Sequence, residues 1–115
     1  MNVEALREYC LKKPHTTESF PFDEVTLVFK VHGKMFALVG LEWEDTAINL
    51  KCDPEKAIEL REMYPGDVIP GYHSNKKHWN TVYTQRVPLD ELKAWIDHSY
   101  DLVFAKLPKR LREGT

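Results

Sequence analysis

Residues 25–42 read VTLVFKVHGKMFALVGLE, and the period inside this stretch decides the fold. Val25, Leu27, Phe29 and Val31 alternate with Thr26, Val28, Lys30 and His32, the period of a β-strand. Gly33-Lys34 suits a two-residue turn with glycine at its first central position, so residues 35–42 are expected to run back antiparallel. That register sets Val31 opposite Phe36 and Phe29 opposite Leu38, one strongly apolar face. The other face is mixed: Lys30 and His32 stand beside Val28, Ala37 and Val39, a surface suited to solvent or to contact between subunits.

Working outward, Asn2 can cap a first helix whose apolar positions Val3, Leu6, Cys10 and Leu11 follow a helical period, and Pro14 stops it. Residues 47–52 continue as a third strand with Ile48, Leu50 and Cys52 on one side. DPEKAIELREMY, residues 53–64, then opens a helix with Asp53 as cap, Pro54 at the first helical position and Glu55 in the positive first turn. Pro65-Gly66 ends it. Residues 68–73 and 78–84 read as two further strands joined across Ser74-Asn75-Lys76-Lys77. A long helix over residues 88–107 carries Leu89, Leu92, Ile96, Tyr100, Val103 and Leu107 at three- and four-residue steps. The order α-β-β-β-α-β-β-α contains no alternating βα units. It predicts an α+β two-layer sandwich, an antiparallel sheet with helices on one face and a working surface on the other.

A chain of 115 residues is expected to form one domain spanning 1–115. At this length folding hides roughly two-thirds of the unfolded surface, enough for a core without staples. Cys10 and Cys52 are therefore read as free, buried thiols in a reducing cytoplasm. The opening MNVEALREYC carries Glu4 and Glu8 where a signal peptide needs an unbroken apolar run, and no stretch approaches the length of a membrane span. A cytoplasmic protein without membrane contact is the expectation.

Net charge is −2, which makes no general case for nucleic acid. The halves differ, however: residues 1–72 hold 8 basic and 13 acidic side chains, while residues 73–115 hold 8 and 5. What that asymmetry does depends on which face the charges occupy.

Catalytic chemistry finds little support. His73 and His78 would face each other across a hairpin closed by Asn75-Lys76, but zinc needs three or four ligands and adjacent lysines repel a cation. No metal and no cofactor are expected. Asp97-His98-Ser99 has the residue types of a hydrolytic triad, yet consecutive helical residues splay apart and cannot form a relay among themselves. Asp97 and Asp101 share a helix face, and no nucleophile elbow, phosphate loop or zinc-protease motif occurs. A pocket made by His73, His78, Trp79, Asp97 and Asp101 requires the last hairpin to pack on the last helix. No catalytic residue is assigned.

Phosphate binding fits better. Lys76 and Lys77 sit at a loop tip, Asn75, His78, Asn80 and Thr81 add hydrogen-bonding groups, and Trp79 offers a stacking face. Lys106, Lys109, Arg110 and Arg112 form a second basic cluster, which also complements the negative end of the last helix. Lysines at hairpin tips also serve as anti-aggregation devices.

The run YHSNKKHWNTV, residues 72–82, followed by DHSYDLVFAKLPKRLR, residues 97–112, resembles the paired signature of the bacterial MmcQ/YjbR family. The short first helix, SFPFDEVTLVFKVHGKMFAL at residues 19–38 and the segment around Asp53-Pro54 extend the resemblance along the chain. It implies a two-layer α+β fold similar to type III secretion chaperones and no enzymatic activity. It also implies DNA binding through two projecting hairpins acting as a double wing. These correspond here to the turn at His32-Gly33-Lys34 and the loop Asn75-Lys76-Lys77. The negative overall charge departs from that pattern and limits the expectation to weak binding. The residues expected to meet nucleic acid are Lys34, Asn75, Lys76, Lys77, His78 and Trp79. The alternative is a protein-interaction module, a homodimer or a chaperone-like adaptor for a helical partner.

Overall fold

Pairing in the central hairpin begins one residue earlier than its glycine suggests. The computed structural model describes residues 1–71 and 75–113. In it, Val31 at the end of β2 (Thr26–Val31) pairs with Lys34 at the start of β3 (Lys34–Gly40). His32 and Gly33 are thus the two turn residues, with φ of 47° and 81°, the left-handed pair that a type I′ turn requires. Histidine is among the side chains that enter this region more readily. His32 is held there from outside: its N–H donates to the carbonyl of His15 at 3.2 Å, and the two rings stack with centroids 4.4 Å apart.

A bulge follows. Lys30 faces Met35 but Phe29 faces Ala37, so Phe36 is one residue more than the ladder accommodates. The expected pairs Val31–Phe36 and Phe29–Leu38 give way to Val31–Lys34, Phe29–Ala37 and Val28–Leu38. In consequence Ala37 and Val39 join the helix-side core, and Leu38 shares the opposite face with Val28. The mixed face therefore does not carry Val28, Ala37 and Val39 together.

The remaining elements are α1 (Val3–Leu11), β1 (Thr16–Ser19), β4 (Ala47–Lys51), α2 (Pro54–Met63), β5 (Val68–Pro70), β6 (Trp79–Tyr83), α3 (Leu89–Ala105) and α4 (Lys109–Glu113). They form a six-stranded antiparallel sheet in the order β1-β2-β3-β4-β6-β5. Strand β1, TTES, has no apolar alternation and forms by covering the outer edge of β2. Its polar side chains suit a sheet margin, and its Glu18 accepts a two-pronged bond from Arg7 of α1. At the start of α2, Asp53 accepts from the Lys56 N–H and Pro54 takes the first turn. The long helix stops at Ala105, ahead of Pro108, and α4 is a separate short turn.

Helices α1, α2 and α3 share one face of the sheet, where Leu6, Cys10, Phe29, Phe36, Ile48, Leu92 and Ile96 are entirely shielded from solvent. Each large side chain so buried contributes about 1.5–3 kcal/mol. On the other face Val28, Leu38, Asn49 and Thr81 form one row across four strands, none more than 8% exposed. The Thr81 hydroxyl donates to Asn49 Oδ1 within it. Among the described residues no helix is long and apolar enough to cross a membrane.

Candidate nucleic-acid interface at the basic end of the sheet

Strand direction sorts the charges. The β2–β3 turn, the end of β4, the start of β6 and the C-terminus of α3 all lie at one end of the sheet. Lys34 leaves the turn there, exposed; Lys51 ends β4; Trp79 opens β6 as the direct partner of Lys51. Lys76 and Lys77, both exposed, come just before Trp79, and Lys106 follows α3. At the other end the connections carry Asp23, Glu24, Glu42, Glu44, Asp45 and Asp67, with Arg86 against them. Asp53, directly after β4, and Asp101 on α3 lie at the lysine end as well, so the separation of charge along the strands is partial.

Lys51 and Lys106 are close enough to feel one another. Burial first, and the repulsion of Lys106 second, pull the Lys51 ammonium below its ordinary pKa. Two neighbouring ammonium groups, one half-buried, favour an anion between them. Sequence reading does not single out Lys51. Its signal is the phase of β4, where Ile48 and Leu50 point inward and leave Lys51 outward. The pairing with Trp79, however, exists only because β6 inserts between β4 and β5.

The segment before β6 is a tight local structure. Asn75 Oδ1 accepts from the Lys77 N–H at 3.0 Å, and the Asn75 carbonyl accepts from His78 and Trp79 at 3.1 and 2.9 Å. The arrangement is an Asx-turn. Arg61 of α2 donates to the Lys76 carbonyl at 3.3 Å, so the segment leans on α2 while its two lysines face solvent. Among the described residues no carboxylate forms an ion pair with Lys76 or Lys77. His78 is half-buried, its carbonyl accepting from the Cys52 N–H at 2.7 Å. Trp79 is half-buried beside Gly71, where a Cβ would stand 2.7 Å from the Trp79 Cβ.

Of the residues expected to meet nucleic acid, Lys34, Asn75, Lys76, Lys77, His78 and Trp79 therefore all fall at this end. The form differs from long wings. Thr16 pairs with Val31, so only His32 and Gly33 extend past the three-stranded ladder. Strand β5 is Val68–Pro70, with the Gly71 N–H still donating to the Trp79 carbonyl at 2.9 Å, and β6 starts at Trp79 rather than His78. Tyr72, His73 and Ser74, and with them the His73–His78 pairing, lie outside the described residues. On α4, Lys109 pairs with Glu113 at 3.7 Å and Arg112 Nε donates to the Leu107 carbonyl.

The pocket of histidines and aspartates does not form from the described residues. Trp79 shares its face with Lys51, whereas Asp97 on the helix side accepts from Tyr9 Oη and Lys13 Nζ, and Asp101 is exposed. Nor do three or more metal-ligating side chains gather anywhere among the described residues. The segment from Asp97 to Tyr100 instead ties elements together. Asp97 holds α1; His98 Nε2 accepts from the Asp53 N–H at the start of α2; Ser99 bridges β3 and β4; Tyr100 Oη donates to the Pro14 carbonyl. The splay that forbids a triad is what lets four consecutive residues reach four places.

The family model named YjbR matches residues 11–102. The Escherichia coli O157:H7 protein YbdF is 37% identical over 108 residues, 93% of this chain and 88% of its own length. YjbR of Escherichia coli K12 is 34% identical over 114 residues, 98% of this chain and 96% of its own. The crystal structure of Deinococcus radiodurans protein DR2400 superimposes with a TM-score of 0.93 at 42% identity, over 98% of this chain and 86% of that one. A Pseudomonas syringae protein structure follows at 0.76 and 28%, over 90% and 99%. None of these names states an activity.

Proposed function

From a chain that belongs to the YjbR family, we propose a cytoplasmic, non-enzymatic binding module that contacts nucleic acid weakly through the basic end of its sheet. The observation that supports this most is the clustering of Lys34, Lys51, Lys76, Lys77 and Lys106 at one end, with Asp23, Glu24, Glu42, Glu44, Asp45 and Asp67 at the other. Phosphates meet the lysines, and the half-buried Trp79 lends an apolar surface beside them. The acidic end opposes a long-range attraction, so affinity is modest and salt-sensitive.

The test is duplex and single-stranded DNA titrated at several salt concentrations. Lys76→Glu with Lys77→Glu weakens binding and flattens the slope of log K against log salt by about 0.9 for each phosphate that is no longer neutralised. Binding that is absent at low salt, or unchanged in the double variant, would refute the proposal.

A protein-interaction module is the second reading, favoured by Phe20, Phe22 and Leu41, which are 47%, 68% and 42% exposed. Solitary apolar side chains at a surface are ordinary, but three large ones around the opening of β2 and the end of β3 are a candidate contact. Sedimentation at high concentration decides the homodimer version: a strict monomer excludes it.

A further inference from the structure

The face of the sheet away from the helices holds a cavity of about 350 Å³ at its acidic end, within the range of roughly 300–1,000 Å³ typical of small-molecule sites. Its floor is Ala47, Ile69 and Thr81, small or slender side chains on adjoining strands. Its aromatic walls are Trp43 and Tyr83, and Glu44 and Asp45 supply charge at the margin. The indole is a fitted part: a Cβ on Gly40 would lie 2.1 Å from Trp43 Cε2, so the ring rests where only glycine leaves room.

What such a cavity prefers is already visible at its edge. Arg86 lies with its guanidinium 4.6 Å from the centre of the Tyr83 ring and donates to Asp45 at 2.8 Å. Arg86 thus already takes the Asp45 carboxylate and one face of Tyr83, and Glu44 is the lining carboxylate outside that pair. An anion would meet the Glu44 carboxylate, and the lysines proposed for phosphate lie at the opposite end of the strands.

We propose that this cavity binds a small free organic cation, a protonated amine carrying a flat apolar body. The ammonium lies toward Glu44, and the body rests against Trp43 above Ala47 and Thr81, beside Tyr83. The site is independent of the nucleic-acid reading.

The test is titration of the isotopically labelled protein with phenethylamine, followed through the Trp43 indole N–H and the Thr81 and Tyr83 amides. Saturable shifts are expected, with phenylacetate bound at least about tenfold more weakly. Glu44→Gln weakens the amine about threefold. Trp43→Leu, which keeps apolar bulk over Gly40 but no π face, erases most of the preference for amine over acid. No saturation up to about 10 mM, equal affinity for amine and acid, or a preference that survives Trp43→Leu would each overturn the proposal. So would tighter binding of N-acetyl-lysine amide, which would reassign the cavity to a basic side chain of a polypeptide.

Discussion

The hydroxyl of Ser99 donates to the carbonyl of Phe36 and accepts from the Lys51 N–H at 2.9 Å, while itself wholly buried. Phe36 is the bulged residue of β3, and a bulge leaves its backbone outside the ladder. One side chain on α3 thus completes the hydrogen bonding of two neighbouring strands. Ser99→Ala is expected to cost about 1–3 kcal/mol, the penalty of an unsatisfied buried group. A lower urea midpoint at an unchanged m-value checks it. A midpoint equal to that of the parent protein would mean that water replaces the hydroxyl.

Acid sensitivity should run through His98. Burial first, then Lys56, pull this imidazole below its ordinary range, against the smaller pull of Asp53 and Asp101. Its neutral Nε2 also accepts from the Asp53 N–H at 3.3 Å. A depressed folded pKa means that the unfolded chain takes the proton first. The stability contribution is therefore complete above about pH 6.5 and declines as pH falls below it. His98→Gln keeps an acceptor but does not titrate. Its stability between pH 7.5 and 5 should fall less than the parent's, measured by urea melts across that interval.

Lys51 should trade stability against binding. Its charge is held half-buried beside Lys106 at some cost to the folded state. Lys51→Met is expected to leave the urea midpoint equal or higher and to weaken DNA, reducing the salt slope by about 0.9. A variant that loses stability and keeps its DNA affinity would remove Lys51 from the interface.

The thiols should be silent until the chain opens. Burial pushes Cys10 up to about 12 and Cys52 up to about 11, leaving almost no thiolate at neutral pH. Labelling with a chromogenic disulfide reagent is expected to be slow in the native protein and to reach both cysteines in urea. Fast native labelling would reveal local opening of α1 or of the junction between β4 and α2.

Legibility in the sequence follows what each segment has to do. The inward set Ile48, Leu50 and Cys52 and the cap at Asp53 were readable because burial on one face and helix-end chemistry leave local marks. The phase of β3 was not. Met35, Phe36, Ala37, Leu38 and Val39 form an unbroken apolar run, and a run that is apolar on both faces cannot say which residue turns inward. Strand β1 left no mark, because TTES pairs through its backbone alone.

The candidate interface divides the same way. Lys34, Lys76 and Lys77 stand out as lysines near turn signals, whereas Lys51 gains meaning only when β6 is known to lie beside β4. The cavity was invisible for a related reason. Trp43 and Tyr83 are forty residues apart, and their approach depends on strand order and on the space that Gly40 leaves.

Lys34, Lys51, Lys76, Lys77 and Lys106 at one end and Asp23, Glu24, Glu42, Glu44 and Asp45 at the other bias the molecule's field along its strands. On the proposed nucleic-acid reading, a polyanion feels that bias before contact and turns the molecule toward its Lys76 end, with the Glu44 end trailing. If the proposed binding holds, the trailing end repels a second polyanion, and a single copy is expected to sit on one strand or duplex and not to bridge two.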